Sequence, residues 1–376
     1  MRDGILNLDK PSGPTSHDVV ERIRALTGIR RVGHAGTLDP LASGVLLVCV
    51  GQATRVAGYL MGGQKVYRAR VRLGIATDTY DADGRGVAEM PVEVNRAQVE
   101  TVLARFRGSL SQVPPMYSAL KREGTPLYRL ARRGVRAEQL SLQPRQVEIV
   151  RLELTAWEPP ECTLEVTCSP GTYVRTLAHD LGQALGCGAH LAGLVRLASG
   201  TFRLEDAVTL EELAQAANEQ RWPALLHPLD AALSCFPALR VDADAARRLC
   251  LGQSIPPPAG GGGWEKMAPP PGGGSWERVN SPPTGGGGWE KMAPPPGGGS
   301  WERVNSPPAG GGGWEKMAPP PGGGGWERVS PAPSEGPGQE QVARAYGPAG
   351  TFLALVTYDQ AANVWRPHKV FCTPER

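Results

Sequence analysis

Residues 33–50 read GHAGTLDPLASGVLLVCV, a polar stretch carrying His34 and Asp39 that runs without a break into six consecutive apolar residues, 45–50. Such a run is too short to cross a bilayer and predicts a buried strand. A buried strand holds the loop that feeds it, so a charged side chain there can be aimed instead of wandering in solvent. Asp-Pro is also a common turn opener, and from the residues alone turn formation is the better account of Asp39.

The flanking sequence predicts an alternation of strands and helices. Residues 5–8 form a short apolar strand that ends in the turn-rich cluster Asp9, Lys10, Pro11, Ser12, Gly13, where the lysine is expected to stay open to solvent. Thr15 with Asp18 has the spacing of a capping box, opening a helix whose apolar stripe is Val19, Val20, Ile23 and Leu26 and which stops at Gly28. KVYRARVRL, residues 65–73, alternates so that Tyr67, Ala69, Val71 and Leu73 face one way and three arginines the other. That basic face is either solvated or part of an RNA-facing surface. A tyrosine on the apolar face is by default a core aromatic whose hydroxyl finds a partner.

Further on, residues 97–107 predict an amphipathic helix capped by Asn95 and stopped by Gly108, and Pro114 and Pro115 make 112–120 irregular. A helix begun by Pro126 and ended near Gly134 carries Arg129, Arg132 and Arg133, with Arg136 just beyond, a cluster suited to phosphate. Strands are expected over 147–157 and 163–168. A helix with Val174, Leu177, Leu181 and Leu185 inward follows, on which Arg175 falls off the apolar stripe, as a surface arginine does. Thr209 with Glu212 repeats the capping-box spacing, and the pattern to about Ala232 completes a first domain.

The 376 residues suggest two domains. Gly (49) and Pro (36) are concentrated late, where residues 257–338 hold three copies of a 25-residue unit with Trp264, Trp289 and Trp314 in equivalent places. A solenoid would need more apolar surface per repeat than these units offer, so the segment is expected to be a disordered insertion. With six basic and seven acidic residues it is no basic RNA-binding arm. Seven cysteines without a CxxC pair suggest reduced, mostly buried thiols in a cytoplasmic protein, and no zinc site. No stretch has the length of a signal peptide core or a membrane span.

Four blocks in order, LDKPSGPTSHDVV, GHAGTLDPLASGVLLVCVGQATR, KVYRARVRLGIATDTYDADG and CSPGTYVRTLAHDLGQALGCGAHLAGLVRL, resemble the motifs of the TruB family of tRNA pseudouridine synthases, which isomerise uridine 55 in the T loop. The resemblance implies an α+β fold: a mixed-sheet catalytic domain over 1–232, then a small PUA-like RNA-binding β-barrel over 236–374 interrupted by the Gly/Pro/Trp-rich repeats.

It further implies that Asp39 is the catalytic carboxylate, that Arg175 pairs with it and keeps it ionised, and that Tyr67 packs on the target base and is placed to assist proton removal. Tyr173 and Leu194 would line the base pocket, Lys10 and Pro11 would brace the catalytic loop, and His34 would wedge into the gap left by an extruded base. A histidine in a glycine-rich loop is equally an ordinary polar residue. The reaction needs no metal and no cofactor. The partner would be tRNA, gripped at the T stem-loop and, through the C-terminal domain, at the acceptor end, by a monomer. Two alternatives stand beside this: a non-catalytic RNA-binding or RNA-folding module, and a guide-RNA-dependent enzyme acting on ribosomal RNA.

Overall fold

In the computed structural model, residues 3–118, 120–122, 124–135, 139–140, 142–257 and 341–372 are described. The first half runs β1 (Gly4–Lys10), α1 (Ser16–Thr27), β2 (Val32–Ala35), β3 (Ala42–Val50), α2 (Ala57–Met61), β4 (Lys65–Leu73), β5 (Ile75–Thr77), β6 (Gly86–Glu89), α3 (Arg96–Leu103), β7 (Gly108–Gln112), β8 (Lys121–Arg122), β9 (Thr125–Pro126) and α4 (Leu127–Arg132). It continues through β10 (Arg145–Glu158), β11 (Glu161–Cys168), α5 (Val174–Leu185), β12 (Ala189–Ser199), β13 (Phe202–Arg203), α6 (Leu210–Asn218), β14 (Ala238–Arg240), α7 (Ala243–Cys250), β15 (Gln341–Tyr346), β16 (Phe352–Asp359) and β17 (Val364–Val370).

Nine strands make one mixed sheet, ordered β1-β3-β12-β4-β11-β10-β7, with β2 attached to β3 and β13 to β12. Every pairing in it is antiparallel except β3 with β12. The fold is α+β, as expected. The apolar run 45–50 is fully buried because both faces of β3 are covered. Leu46, Val48 and Val50 pack with α1 and the sheet core, whereas Val45, Leu47 and Cys49 pack toward Leu60, Phe202, Leu233 and Leu355. One edge of β3 is paired by β1 from Gly44 to Val50; the other is shared, by β12 at Ala42 to Gly44 and by β2 from Leu47 to Val50.

Both capping boxes form, at Thr15 and Thr209, and Gly28 ends α1 in the left-handed region that favours glycine. The helix expected over 97–107 is shorter: α3 tightens into a single 3-10 turn after Leu103, and Gly108 opens β7 instead of merely stopping a helix. The arginine face of β4 is half-buried and partly neutralised, since Arg70 and Arg72 lie 3.0 and 3.7 Å from Glu161 on the adjacent strand. Arg129 and Arg132 of α4 stand over the Tyr128 ring, while Arg136 lies outside the described residues.

The C-terminal strands form a separate four-stranded sheet, β14-β15-β16-β17, covered by α7, and fit a PUA-like domain. This sheet shares apolar packing with the back of β3 through Leu355, Phe352 and Phe371. Arg55 donates to the Val370 carbonyl, Lys369 donates to the Arg55 carbonyl at 2.8 Å, and Tyr346 donates to Asp230. The repeats at 257–338 fall outside the described residues apart from Pro257.

The cysteines are not all reduced thiols, contrary to the expectation from their spacing. Cys250, at the end of α7, and Cys372, after β17, are joined by a disulfide with Cα atoms 5.4 Å apart, and Cys235 is exposed. Only Cys49, Cys162, Cys168 and Cys187 are the buried free thiols expected. No helix among the described residues is long and apolar enough to cross a membrane.

Candidate active site

Asp39 sits in the turn between β2 and β3, and nearly every residue of that turn has its backbone tied down. Ser16, in the first turn of α1, exchanges hydrogen bonds with the Leu38 main chain, its hydroxyl donating to the carbonyl and accepting from the amide, both at 2.9 Å. The Gly13 amide donates to the Pro40 carbonyl at 2.8 Å and the Ser12 hydroxyl to the Leu41 carbonyl at 3.0 Å. Ala42 closes the turn on Asp39 itself, amide to carbonyl, at 3.0 Å. The side chain is therefore presented from a fixed backbone.

Lys10 is not open to solvent, contrary to the expectation from its turn-rich neighbourhood. It is the last residue of β1 and wholly buried, its Nζ donating to the carbonyls of Pro11 at 2.7 Å, Ala42 at 2.8 Å and Pro40 at 3.5 Å. Burial lowers its pKa to about 8 against the opposing pull of Asp39. Pro11 is exposed and contributes its carbonyl to this bracing.

Arg175 reaches the same place from the first turn of α5. Its Nε lies 2.9 Å from Asp39 Oδ2, with the arginine side chain only 5 % exposed and that of Asp39 still 38 % exposed. The arginine is thus a buried residue, although its position off the apolar stripe read as surface. The stripe describes what α5 packs on, and says nothing of what other loops bring to that helix end.

The same guanidinium holds a second carboxylate that sequence reasoning missed. Asp81 Oδ2 stands 3.1 Å from Arg175 Nη1 and is buried, and the Tyr117 carbonyl accepts from Nη2 at 2.8 Å. Asp81 is fixed by the Thr79 hydroxyl and the Asp83 amide. Its neighbour Tyr80 has φ 66°, a left-handed backbone unusual for a non-glycine, and its ring stacks on His179 at 3.9 Å. The available signal was three aspartates in the six residues 78–83 facing an arginine elsewhere in the chain.

Asp39 has its pKa raised: burial pushes it up and the Asp81 charge adds to this, while Arg175 and Lys10 pull it back without fully compensating. Arg175 thus limits the cost of ionising Asp39 but does not abolish it. Tyr67, on β4, is buried, and burial raises its hydroxyl pKa. Its cross-strand partner is Arg196 of β12, whose positive charge pulls its pKa the other way. Leu194 lies between Ala42 of β3 and Ala69 of β4, three residues along from Asp39.

His34 is inside β2, paired with Val48, and not in a loop. Burial lowers its pKa, and its Nδ1 is enclosed with no hydrogen-bond partner among the described residues. Tyr173 caps α5; its main chain exchanges two hydrogen bonds with the Gln112 side chain, at 2.8 and 3.0 Å. Neither His34 nor Tyr173 bonds to Asp39 among the described residues. The described residues contain no group of three or more histidine, cysteine or acidic side chains set to hold a metal ion. What the arrangement offers is one oriented carboxylate with an open side, a cation behind it and a neutral aromatic hydroxyl on a nearby strand.

Comparison with known proteins gives the family and the fold. The family profile described as TruB family pseudouridylate synthase (N terminal domain) matches residues 24–174, and that of the tRNA pseudouridylate synthase B C-terminal domain matches 175–234. Proteins named tRNA pseudouridine synthase B from Syntrophotalea carbinolica and Burkholderia lata are 52% and 50% identical over 258 and 256 residues. Each match covers 68% of this chain, with 82% of the first relative and 78% of the second. A solved structure described as a Cbf5-Nop10-Gar1 complex superposes with TM-score 0.61 at 22% identity, over 99% of this chain and 85% of that one. Another, an H/ACA RNP bound to a substrate RNA containing 2'-deoxyuridine, gives 0.60 at 20%, over 99% and 86%.

Fold and profile together define a pseudouridine synthase. Within that class the chain belongs to the TruB family.

Proposed function

We propose that this protein isomerises uridine to pseudouridine at position 55 of tRNA, in the T loop, without a cofactor. The carrying observation is the 2.9 Å pair of Asp39 and Arg175, an oriented carboxylate open on one side and charge-balanced from behind. The family membership and the names of relatives at about half identity support tRNA as the substrate. The reaction breaks the bond from N1 to the ribose, turns the uracil, forms the bond from C5 to the same carbon and releases the C5 proton. A carboxylate must meet the nucleotide, and a closed pocket must keep the detached base from leaving.

In this reading Asp39 is that carboxylate, Arg175 its counter-charge, and Tyr67 stacks on the base as a neutral phenol. Leu194 and Tyr173 line the pocket, and Lys10 with Pro11 holds the loop. The uridine must first leave its stack, at a cost of a few kcal/mol, and His34, uncharged at neutral pH, fills the space. Residues 1–232 act as the catalytic domain and 236–374 as an RNA-gripping domain at the acceptor end, in a cytoplasmic monomer.

The test is pseudouridine formation in a bare T-stem-loop transcript by the purified protein. Stoichiometric conversion by wild type, and none by Asp39→Asn at saturating enzyme, is the expected result. An inactive wild type would overturn the reading and direct attention to guide-RNA-dependent modification instead.

A further inference from the structure

Arg196 is the only lysine, arginine or acidic residue of its strand: β12 reads AHLAGLVRLAS, and its arginine is only 1 % exposed. No carboxylate pairs with it among the described residues. A guanidinium held away from water without a counter-ion costs several kcal/mol unless its donors are satisfied, so where its bonds go indicates what it is for. Nε donates to the Val45 carbonyl at 2.6 Å and a terminal nitrogen to the Gly36 carbonyl at 3.0 Å. Those two residues bracket the turn that presents Asp39.

The location on β3 is equally specific. Pairing with β12 ends at Gly44 and pairing with β2 begins at Leu47, so the edge of β3 is handed from one neighbour to the other across Val45 and Leu46. Arg196 enters at that hand-over. Gly44 permits the approach: a Cβ there would lie 2.4 Å from the Arg196 carbonyl oxygen, and its φ is 95°. Lys10 does the corresponding task on the inner part of the turn, at Pro40 and Ala42. Two buried cations thus clasp 36–45 through main-chain carbonyls, with Asp39 between them, and the outer one also faces Tyr67 across the strand pair.

We propose that Arg196 is a positioning residue for the isomerisation, fixing the Asp39 turn and the Tyr67 ring relative to each other without touching substrate. This rests on the function proposed above. A displacement of about 1 Å at a reacting group can cost on the order of a hundredfold in rate, whereas binding of a whole stem-loop draws on many phosphate contacts elsewhere.

The experiment compares Arg196→Lys and Arg196→Met with wild type in single-turnover pseudouridine formation, in affinity for the T-stem-loop, and in amide hydrogen exchange. Arg196→Met should slow turnover about a hundredfold and Arg196→Lys, which keeps the charge and one donor direction, about tenfold. Affinity should stay within about twofold, and exchange should quicken at 36–45 while the rest of the sheet stays protected. Wild-type rates, a loss of affinity equal to the loss of rate, or failure of both variants to fold would each overturn the proposal. If wild type itself makes no pseudouridine, the functional reading has failed, and the exchange pattern alone decides whether Arg196 holds the turn.

Discussion

Asp39 and Asp81 share a single guanidinium: Arg175 offers Nε to the first at 2.9 Å and Nη1 to the second at 3.1 Å. The two carboxylates differ in exposure, 38 % against 7 % for their side chains, and that difference separates their expected contributions. The open one can meet a substrate. The enclosed one can only hold the arginine.

Replacing Asp39 by Asn should abolish turnover without weakening the fold. Burial holds its pKa above the usual carboxylate range even with Arg175 present, so the ionised group opposes folding, and its removal leaves Arg175 still paired with Asp81. A melting temperature equal to or above that of wild type, together with retained affinity for the stem-loop, is the expected outcome. A marked fall in melting temperature would mean that Asp39 holds the sheet together as well.

Asp81→Asn should behave in the opposite way. It breaks a pair buried on both sides, for which losses of about 3 kcal/mol are typical, and it frees the guanidinium to pivot away from Asp39. Both the melting temperature and the single-turnover rate should fall. An unchanged melting temperature would show that the pair carries little of the fold.

The rate should fall on acidification with a midpoint above the ordinary aspartate value of about 3.9, because the raised pKa of Asp39 brings protonation on early. Stability at this group has the reverse sign. With a folded-state pKa above the unfolded one, the contribution is fully present below the unfolded value and is lost as pH rises through the folded value. On acidification activity should therefore decline reversibly while protonation of Asp39 itself adds to stability, which parallel rate and melting measurements against pH will reveal.

The disulfide between Cys250 and Cys372 closes a loop spanning 122 positions in sequence. Disulfides typically stabilise by about 2–4 kcal/mol, in the usual account by restricting the unfolded chain. Reductant should lower the melting temperature of wild type to that of Cys250→Ser and leave the variant unmoved. Equal melting with and without reductant would show that the bond adds nothing.

The residues also show where sequence reading succeeds and where it stops. Residues 45–50 carry their burial in their own composition, and Thr15 with Asp18 or Thr209 with Glu212 encodes a local hydrogen-bond pattern, so these were legible at once. Asp39 and Arg175 were legible through motif resemblance alone. Burial of Lys10 and Arg175 is imposed by elements far away in sequence: the Asp39 turn over Lys10, and the loops carrying Asp39, Asp81 and Tyr117 around Arg175. Nothing near Cys250 announces Cys372 as its partner, since their meeting depends on α7 packing beside β17. Arg196 did leave a trace, a lone charge in an apolar strand, whose meaning appears only when the carbonyls it reaches are known.

Strand β3 shows one row of side chains to the catalytic core and the opposite row to the C-terminal sheet. Any chimera that borrows the C-terminal sheet from another member of the family must therefore rematch Val45, Leu47 and Cys49, whose alternate neighbours lead directly into the Asp39 turn. Two sheets lean on the same strand, and exchanging either alone would disturb both.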